Sequence, residues 1–268
     1  MTRRGMTVTL MMLLLLTTTT TTLAQVGTEV YQQMSPAAQA DFISARAQMI
    51  SLEISGRPYS FTPEFVSAIQ QNVDTYLRRS QGAKGKRDLR LVLQRGQALA
   101  PALGAAFQAR NVSQLLGIYL PWIESEYTNI QQPNSLGAIG MFQFLPQTGQ
   151  LYGLSVDELL DVEKSADAAA RYLIDNIERF KHDSMREALA LLAYNRGSRK
   201  VVEDLGLVIT DQNSTCSICA LTAASSRLDK TFQGENVQYV PRFFAAAIIG
   251  ENPRAFGFAI EPLSSHVK

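Results

Sequence analysis

The sequence predicts an all-α fold. Apolar residues recur at helical spacing along most of the chain, and no set of alternating apolar and polar residues reads as strands. At 268 residues and 46% hydrophobic, the chain suffices for one large domain or two small ones with a sizeable core.

Taken in order, Ser35-Pro36 opens a helix to about Leu52, and residues 55–60, with Gly56 and Pro58, break it. Thr62-Pro63 starts the next, threonine as N-cap and proline at the first helical position. Phe65, Val66, Ile69, Val73 and Leu77 give it one apolar face, and residues 80–85 read as a loop. Further helices are expected over Leu89–Gln108, Val112–Glu126, Val162–Phe180 and Met185–Tyr194. Pro121 lies within the second of these and should kink it or sit in its first turns. Residues 211–234, small, polar and rich in Ser and Thr, read as a long loop.

The N-terminus stands apart. Arg3 and Arg4 precede an apolar run from Met6 to Leu16, a threonine tract and then Leu23-Ala24-Gln25, the pattern of a secretory signal cut after Ala24. The alternative, an uncleaved anchor, is disfavoured by the eight threonines between Met6 and Leu23, since a spanning helix needs about 20 predominantly apolar residues. The expected division is thus a signal at 1–24, a helical extension at 25–61 and a main region at 62–268, with no integral span after cleavage. Cleavage removes two arginines and takes the formal net charge from +1 to −1. That balance offers no general electrostatic basis for binding nucleic acid. Arg78, Arg79, Lys84, Lys86, Arg87, Arg90 and Arg95, set against Asp88, read as a solvated basic face; peripheral attraction to an anionic envelope surface is the alternative. Cys216 and Cys219 lack the further ligands zinc wants, and no βαβ context supports a thioredoxin-like role. In an oxidising compartment they are expected to form a local disulfide.

The candidate chemistry begins at Glu124, an acid within the apolar run Tyr119–Ile123. Desolvation of its charged form should raise its pKa, which keeps a carboxylic acid protonated at neutral pH as a general acid. Four short motifs follow one another: Glu124-Ser125-Glu126-Tyr127, the stretch from Gly137 to Gly149, Ala193-Tyr194-Asn195-Arg196-Gly197, and Tyr239-Val240-Pro241-Arg242-Phe243. In this order, the chain resembles the lytic transglycosylases of the lysozyme superfamily, and among them the membrane-bound lytic murein transglycosylase D group. The likeness runs from about Pro63 to Leu205 and resumes over Glu235–Ile249.

The resemblance implies a lysozyme-like catalytic domain acting on the glycan strands of bacterial peptidoglycan in murein turnover. It implies no cofactor and no metal, a periplasmic location, and cell-wall or secretion machinery as further candidate partners. By the same likeness Glu124 is the catalytic acid/base, and Ser125, Tyr127, Gln143, Tyr194, Asn195, Glu235 and Tyr239 contribute to the sugar cleft. Met141-Phe142 stand where Leu-Met is commonest, and Glu235–Tyr239 matches the family's Glu-Thr-Arg-x-Tyr signature only in part. The group's C-terminal peptidoglycan-binding repeats are not expected here.

An ordinary glycosidase places two carboxylates about the scissile bond. Glu126 lies two residues from Glu124, and at 100° per residue a helix would put it on nearly the opposite side, so a surface acid is expected. Asp157, Glu158 and Asp161 offer no sequence sign of approaching the site. A single acid suits a substrate-assisted route, for which the resemblance implies a 1,6-anhydro-muramic acid product. A lysozyme-like hydrolase and a non-catalytic peptidoglycan-binding scaffold are the alternatives. Trp122 reads as core rather than sugar platform, and His182 and His266 as surface residues.

Overall fold

The computed structural model describes residues 30–82, 88–209 and 215–267. Residues 1–24, over which a signal is expected, lie outside them, as do Lys84, Lys86 and Arg87. The described residues are all-α, with two isolated backbone bridges and no strand.

Caps and proline set the first boundaries. Helix α1 (Pro36–Ser55) starts where Ser35 Oγ accepts from the Ala38 N–H and ends at Gly56, which is left-handed. Helix α2 (Pro63–Gly82) is capped by Thr62, whose hydroxyl accepts from the Phe65 N–H at 3.3 Å. It runs to Gly82, so residues 80–82 of the predicted loop are helical, and residues 83–85 lie outside the described ones. Asp88 caps α3 (Leu89–Gln108). Helix α4 (Gln114–Ser125) is the centre of the molecule, with every residue from Leu115 to Ile123 buried. It packs on α3 closely enough that a methyl at Gly117 would stand 2.6 Å from Phe107 Cδ2 and 2.7 Å from the Leu103 carbonyl oxygen. Pro121 is accommodated within α4, and its carbonyl accepts from the Ser125 hydroxyl at 3.2 Å.

Beyond α4 come α5 (Pro146–Leu151), α6 (Val162–Arg179), α7 (Arg186–Arg196) and α8 (Ser198–Val208), then α9 (Ser217–Ala223), α10 (Lys230–Gly234) and α11 (Tyr239–Glu251). Helix α11 is buried from Tyr239 to Gly250 except at Arg242, and it packs on α2, α4, α1 and α7. Helix α1 joins the same core through Ile43, Ala47, Ile50 and Ile54. Tyr59, just after it, donates its hydroxyl to Glu187 at 2.8 Å.

Three expectations need correction. Of the loop expected over 211–234, residues 211–214 lie outside the described ones, and Ser217–Ala223 and Lys230–Gly234 are helical (α9 and α10). Their polar residues act locally, since Asp229 Oδ1 accepts from the Phe232 N–H at 2.9 Å, while Ile218, Leu221 and Phe232 are buried. Cys216 and Cys219 are disulfide-bonded at the start of α9, as expected. Arg79 and Arg95 leave the basic face and turn onto the end of α4. Arg79 pairs with Glu126 at 2.5 Å and Arg95 Nε donates to the Glu126 carbonyl at 2.9 Å, cations where the helix dipole favours them. Glu126 itself is not a surface acid. It ends α4 in the left-handed conformation (φ 52°), so the helical angle does not apply to it. Among the described residues no helix is long and apolar enough to cross a membrane.

Candidate active site

Glu124 occupies the last turn of α4, where the buried helix emerges into a cleft. Two chambers of 490 and 650 Å³ meet at this point, and Ile123, Glu124 and Arg242 line both. The carboxyl is only partly exposed. Burial raises its pKa from 4.5 to about 7, while the Tyr239 hydroxyl and the Arg242 charge pull in the opposite direction. Tyr239 is fully buried and donates its hydroxyl to Glu124 Oε1. That donor lies 115 residues away in sequence, and α11 brings it there by packing along α4.

The loop after α4 forms the floor and one wall. Ser125 Oγ donates to the Met141 carbonyl at 2.7 Å, tying the end of α4 to the turn at Gly140. Gly140 has φ 79°, and a methyl there would stand 2.3 Å from the Leu159 carbonyl oxygen, so the turn requires glycine. The turn presents Gln143, itself left-handed at φ 50°, to the 490 Å³ chamber. Gln143 Nε2 donates to the Gly140 carbonyl at 2.8 Å. Asn134 lines the same chamber and organises its loop, its Oδ1 accepting from the N–H groups of Leu136 at 2.8 Å and Ala138 at 3.0 Å.

The opposite wall comes from the end of α7. Tyr194 packs against Tyr172 (ring centroids 5.1 Å) and Phe144 (5.8 Å), and donates its hydroxyl to the Phe142 carbonyl at 3.0 Å. Its burial and the nearby Glu124 push its own pKa well up, so it is a neutral donor. Asn195 accepts from Asn236 Nδ2 at 2.5 Å. Asn236 is fixed in turn by Arg196 Nη1 at 3.0 Å, and Arg196 is locked onto Asp204 and Asp229. The Arg196 and Asp204 side chains are 4% and 5% exposed. This buried network holds the α7 wall to the segment before α11.

The structure thus brings Glu124, Ser125, Gln143, Tyr194, Asn195 and Tyr239 together. Two expected residues fall elsewhere. Tyr127 is 2% exposed and packs beneath the cleft against Trp122, with ring centroids 6.0 Å apart. Its left-handed backbone (φ 59°) turns it into the core instead of the cleft. Glu235 is exposed and lines neither chamber, and its neighbour Asn236 takes the inward position. The sequence reading missed Arg242, Asn134 and Asn236. Arg242 had a visible signal, being a charge inside the apolar stretch 239–249.

A second free acid is absent from the chambers among the described residues. Glu126 lines the larger one but is held by Arg79. Glu158 pairs with Lys164 at 2.7 Å, which with the Ser155 N–H and hydroxyl lowers its pKa to about 2. Asp161 caps α6 through the N–H groups of Glu163 and Lys164, both at 3.0 Å. Neither lines a chamber.

Residues 102–214 match the family model described as Transglycosylase SLT domain, whose fold is all-α and lysozyme-like. That stretch includes Glu124, Gln143, Tyr194 and Asn195, whereas Tyr239 and Arg242 lie beyond it. No curated protein matches the chain.

Proposed function

We propose that this protein is a lytic transglycosylase cleaving the β-1,4 bond between N-acetylmuramic acid and N-acetylglucosamine in peptidoglycan, with Glu124 as its single acid and base. The observation that carries this reading is a carboxyl with a pKa of about 7 at the meeting point of two cleft chambers. At neutral pH such a group is divided between its acid and base forms, as a residue that must serve first as one and then as the other requires.

Glu124 protonates the glycosidic oxygen as the bond to the muramyl C1 breaks. The N-acetyl group of the substrate stabilises the oxocarbenium-like centre. The Glu124 carboxylate then takes the proton of the muramyl C6 hydroxyl while that oxygen bonds to C1. The product is a 1,6-anhydro-muramyl end, no water is consumed, and Glu124 regains its proton. Tyr239 favours the carboxylate stage, because its hydroxyl donates to Oε1 of the carboxylate that remains once the proton has left. Gln143, Asn134 and Asn195 supply donors and acceptors for sugar hydroxyls and N-acetyl groups in the smaller chamber. The pairing of Glu126 with Arg79 supports this route over hydrolysis, which would need a second carboxylate free to activate water. The signal-like residues 1–24 agree with export to the periplasm, where the substrate lies.

The test is mass spectrometry of soluble fragments released from purified peptidoglycan by the protein and by Glu124→Gln. Anhydro-ended muropeptides, absent with the variant, are expected. Ordinary reducing ends would make it a hydrolase, and no release by either protein would leave the binding-scaffold reading.

A further inference from the structure

The cleft holds a cation that has no ion-pair partner among the described residues, although its charge acts on the neighbouring Glu124 carboxyl. Arg242, near the start of α11, lines both chambers. The other arginines lining them are engaged, Arg196 with Asp204 and Asp229, and Arg79 with Glu126. Among the described residues Arg242 forms no ion pair, and its buried Nε has no hydrogen-bond partner. Its guanidinium carbon lies 5.6 Å from the centroid of the Tyr239 ring, the ring whose hydroxyl holds Glu124. The group is thus packed against the catalytic wall without being satisfied by it.

A guanidinium fork that lines a cleft is shaped to take a carboxylate through two parallel hydrogen bonds. Sugar hydroxyls and N-acetyl groups are neutral and supply no such counter-charge. The muramyl residue differs from N-acetylglucosamine in its O3 lactyl ether. That group ends in a carboxyl, either free or extended by a stem peptide that bears carboxylates of its own. We propose that Arg242 is a specificity determinant that binds a carboxylate of the muramyl substituent, so that the cleft prefers muramyl-containing strands to neutral N-acetylglucosamine polymers. This inference rests on the peptidoglycan reading above.

The test is titration calorimetry on the full chain carrying Glu124→Gln, which prevents turnover, with and without Arg242→Gln. Three tetrasaccharides serve as probes: neutral chitotetraose, a peptide-free muramyl ligand with its lactyl carboxylate, and the same ligand bearing stem peptides. Loss of the arginine should weaken a muramyl ligand about tenfold or more and change chitotetraose by less than about twofold. Loss confined to the peptide-bearing ligand assigns the carboxylate to the stem, and loss confined to the peptide-free ligand assigns it to the lactyl group. Arg242→Lys, which keeps charge without the fork, should fall between. Equal weakening of chitotetraose, or no weakening of either muramyl ligand, would overturn the proposal. So would an Arg242→Gln enzyme whose only change is a shifted pH profile, which would make Arg242 a tuner of Glu124 alone. If Glu124→Gln with Arg242 intact binds neither muramyl ligand, the peptidoglycan reading itself fails.

Discussion

Replacing Tyr239 by phenylalanine removes one oxygen atom and with it the donor to Glu124 Oε1. The ring stays, so the packing of α11 on α4 should survive. A hydrogen bond to a charged group contributes about 1.5–3 kcal/mol, and one pKa unit corresponds to about 1.36 kcal/mol. Because the hydroxyl favours the carboxylate, its loss should move Glu124 from about 7 upward by about one to two units. The assay is the initial rate of soluble muropeptide release from purified peptidoglycan across the pH range about 5 to 10. In the parent protein the rate should fall as pH rises through about 7, where the general acid loses its proton. In Tyr239→Phe that limb should lie about one to two units higher. The plateau should drop roughly tenfold or more, since the carboxylate formed on proton donation is less well held. A plateau that falls while the limb stays in place would refute the reasoning, for Tyr239 would then be acting on the substrate and not on the proton of Glu124.

Three further outcomes are expected. The folded state holds the Glu124 proton more tightly than the unfolded chain does, so stability should be full below the unfolded value of 4.5 and fall as pH rises to about 7; Glu124→Gln should therefore stabilise the protein by about 1–3 kcal/mol at pH near 8, after allowance for cleft water, and by little at pH near 4 in urea titrations. Arg196→Ala leaves Asp204 buried without its partner and should cost about 3–5 kcal/mol by thermal or denaturant unfolding, with a raised KM as Asn236 and Asn195 lose their anchor. Gly140→Ala forces a side chain into a left-handed turn facing the Leu159 carbonyl and should lower stability by roughly 2 kcal/mol or more, with activity falling as Gln143 shifts.

Much of this site was legible because its information is local. Ser35-Pro36 and Thr62-Pro63 open the helices that follow them, and proline and glycine punctuate the chain, whereas the caps at Asp88 and Asp161 were seen only in the structure. The apolar run before Glu124 predicts the desolvation that raises its pKa. Local reading failed where polar residues act inside structure. The Ser- and Thr-rich segment before Tyr239 became α9 and α10, because a few buried apolar residues sufficed to hold them. The helical projection of Glu126 failed because α4 ends at that residue with a reversal of φ, which also sends Tyr127 into the core. Partial likeness to a motif put Glu235 in the site, although it is the next residue that faces inward.

The sequence by itself determined an all-α chain and a desolvated acid at Glu124, since these follow from periodicity, capping and neighbouring residues; the wall around that acid was implied only by the resemblance of its motifs to a family. The tertiary structure alone decided how the groups of that wall meet the acid, and it added Arg242 and Asn236 to them. Tyr239 and Arg242 come from α11, more than a hundred residues on, and Asn236 reaches Asn195 across 41 residues. Contacts of that range depend on how the buried faces of α4, α7 and α11 pack together, and no local spacing encodes where two packed helices place their side chains.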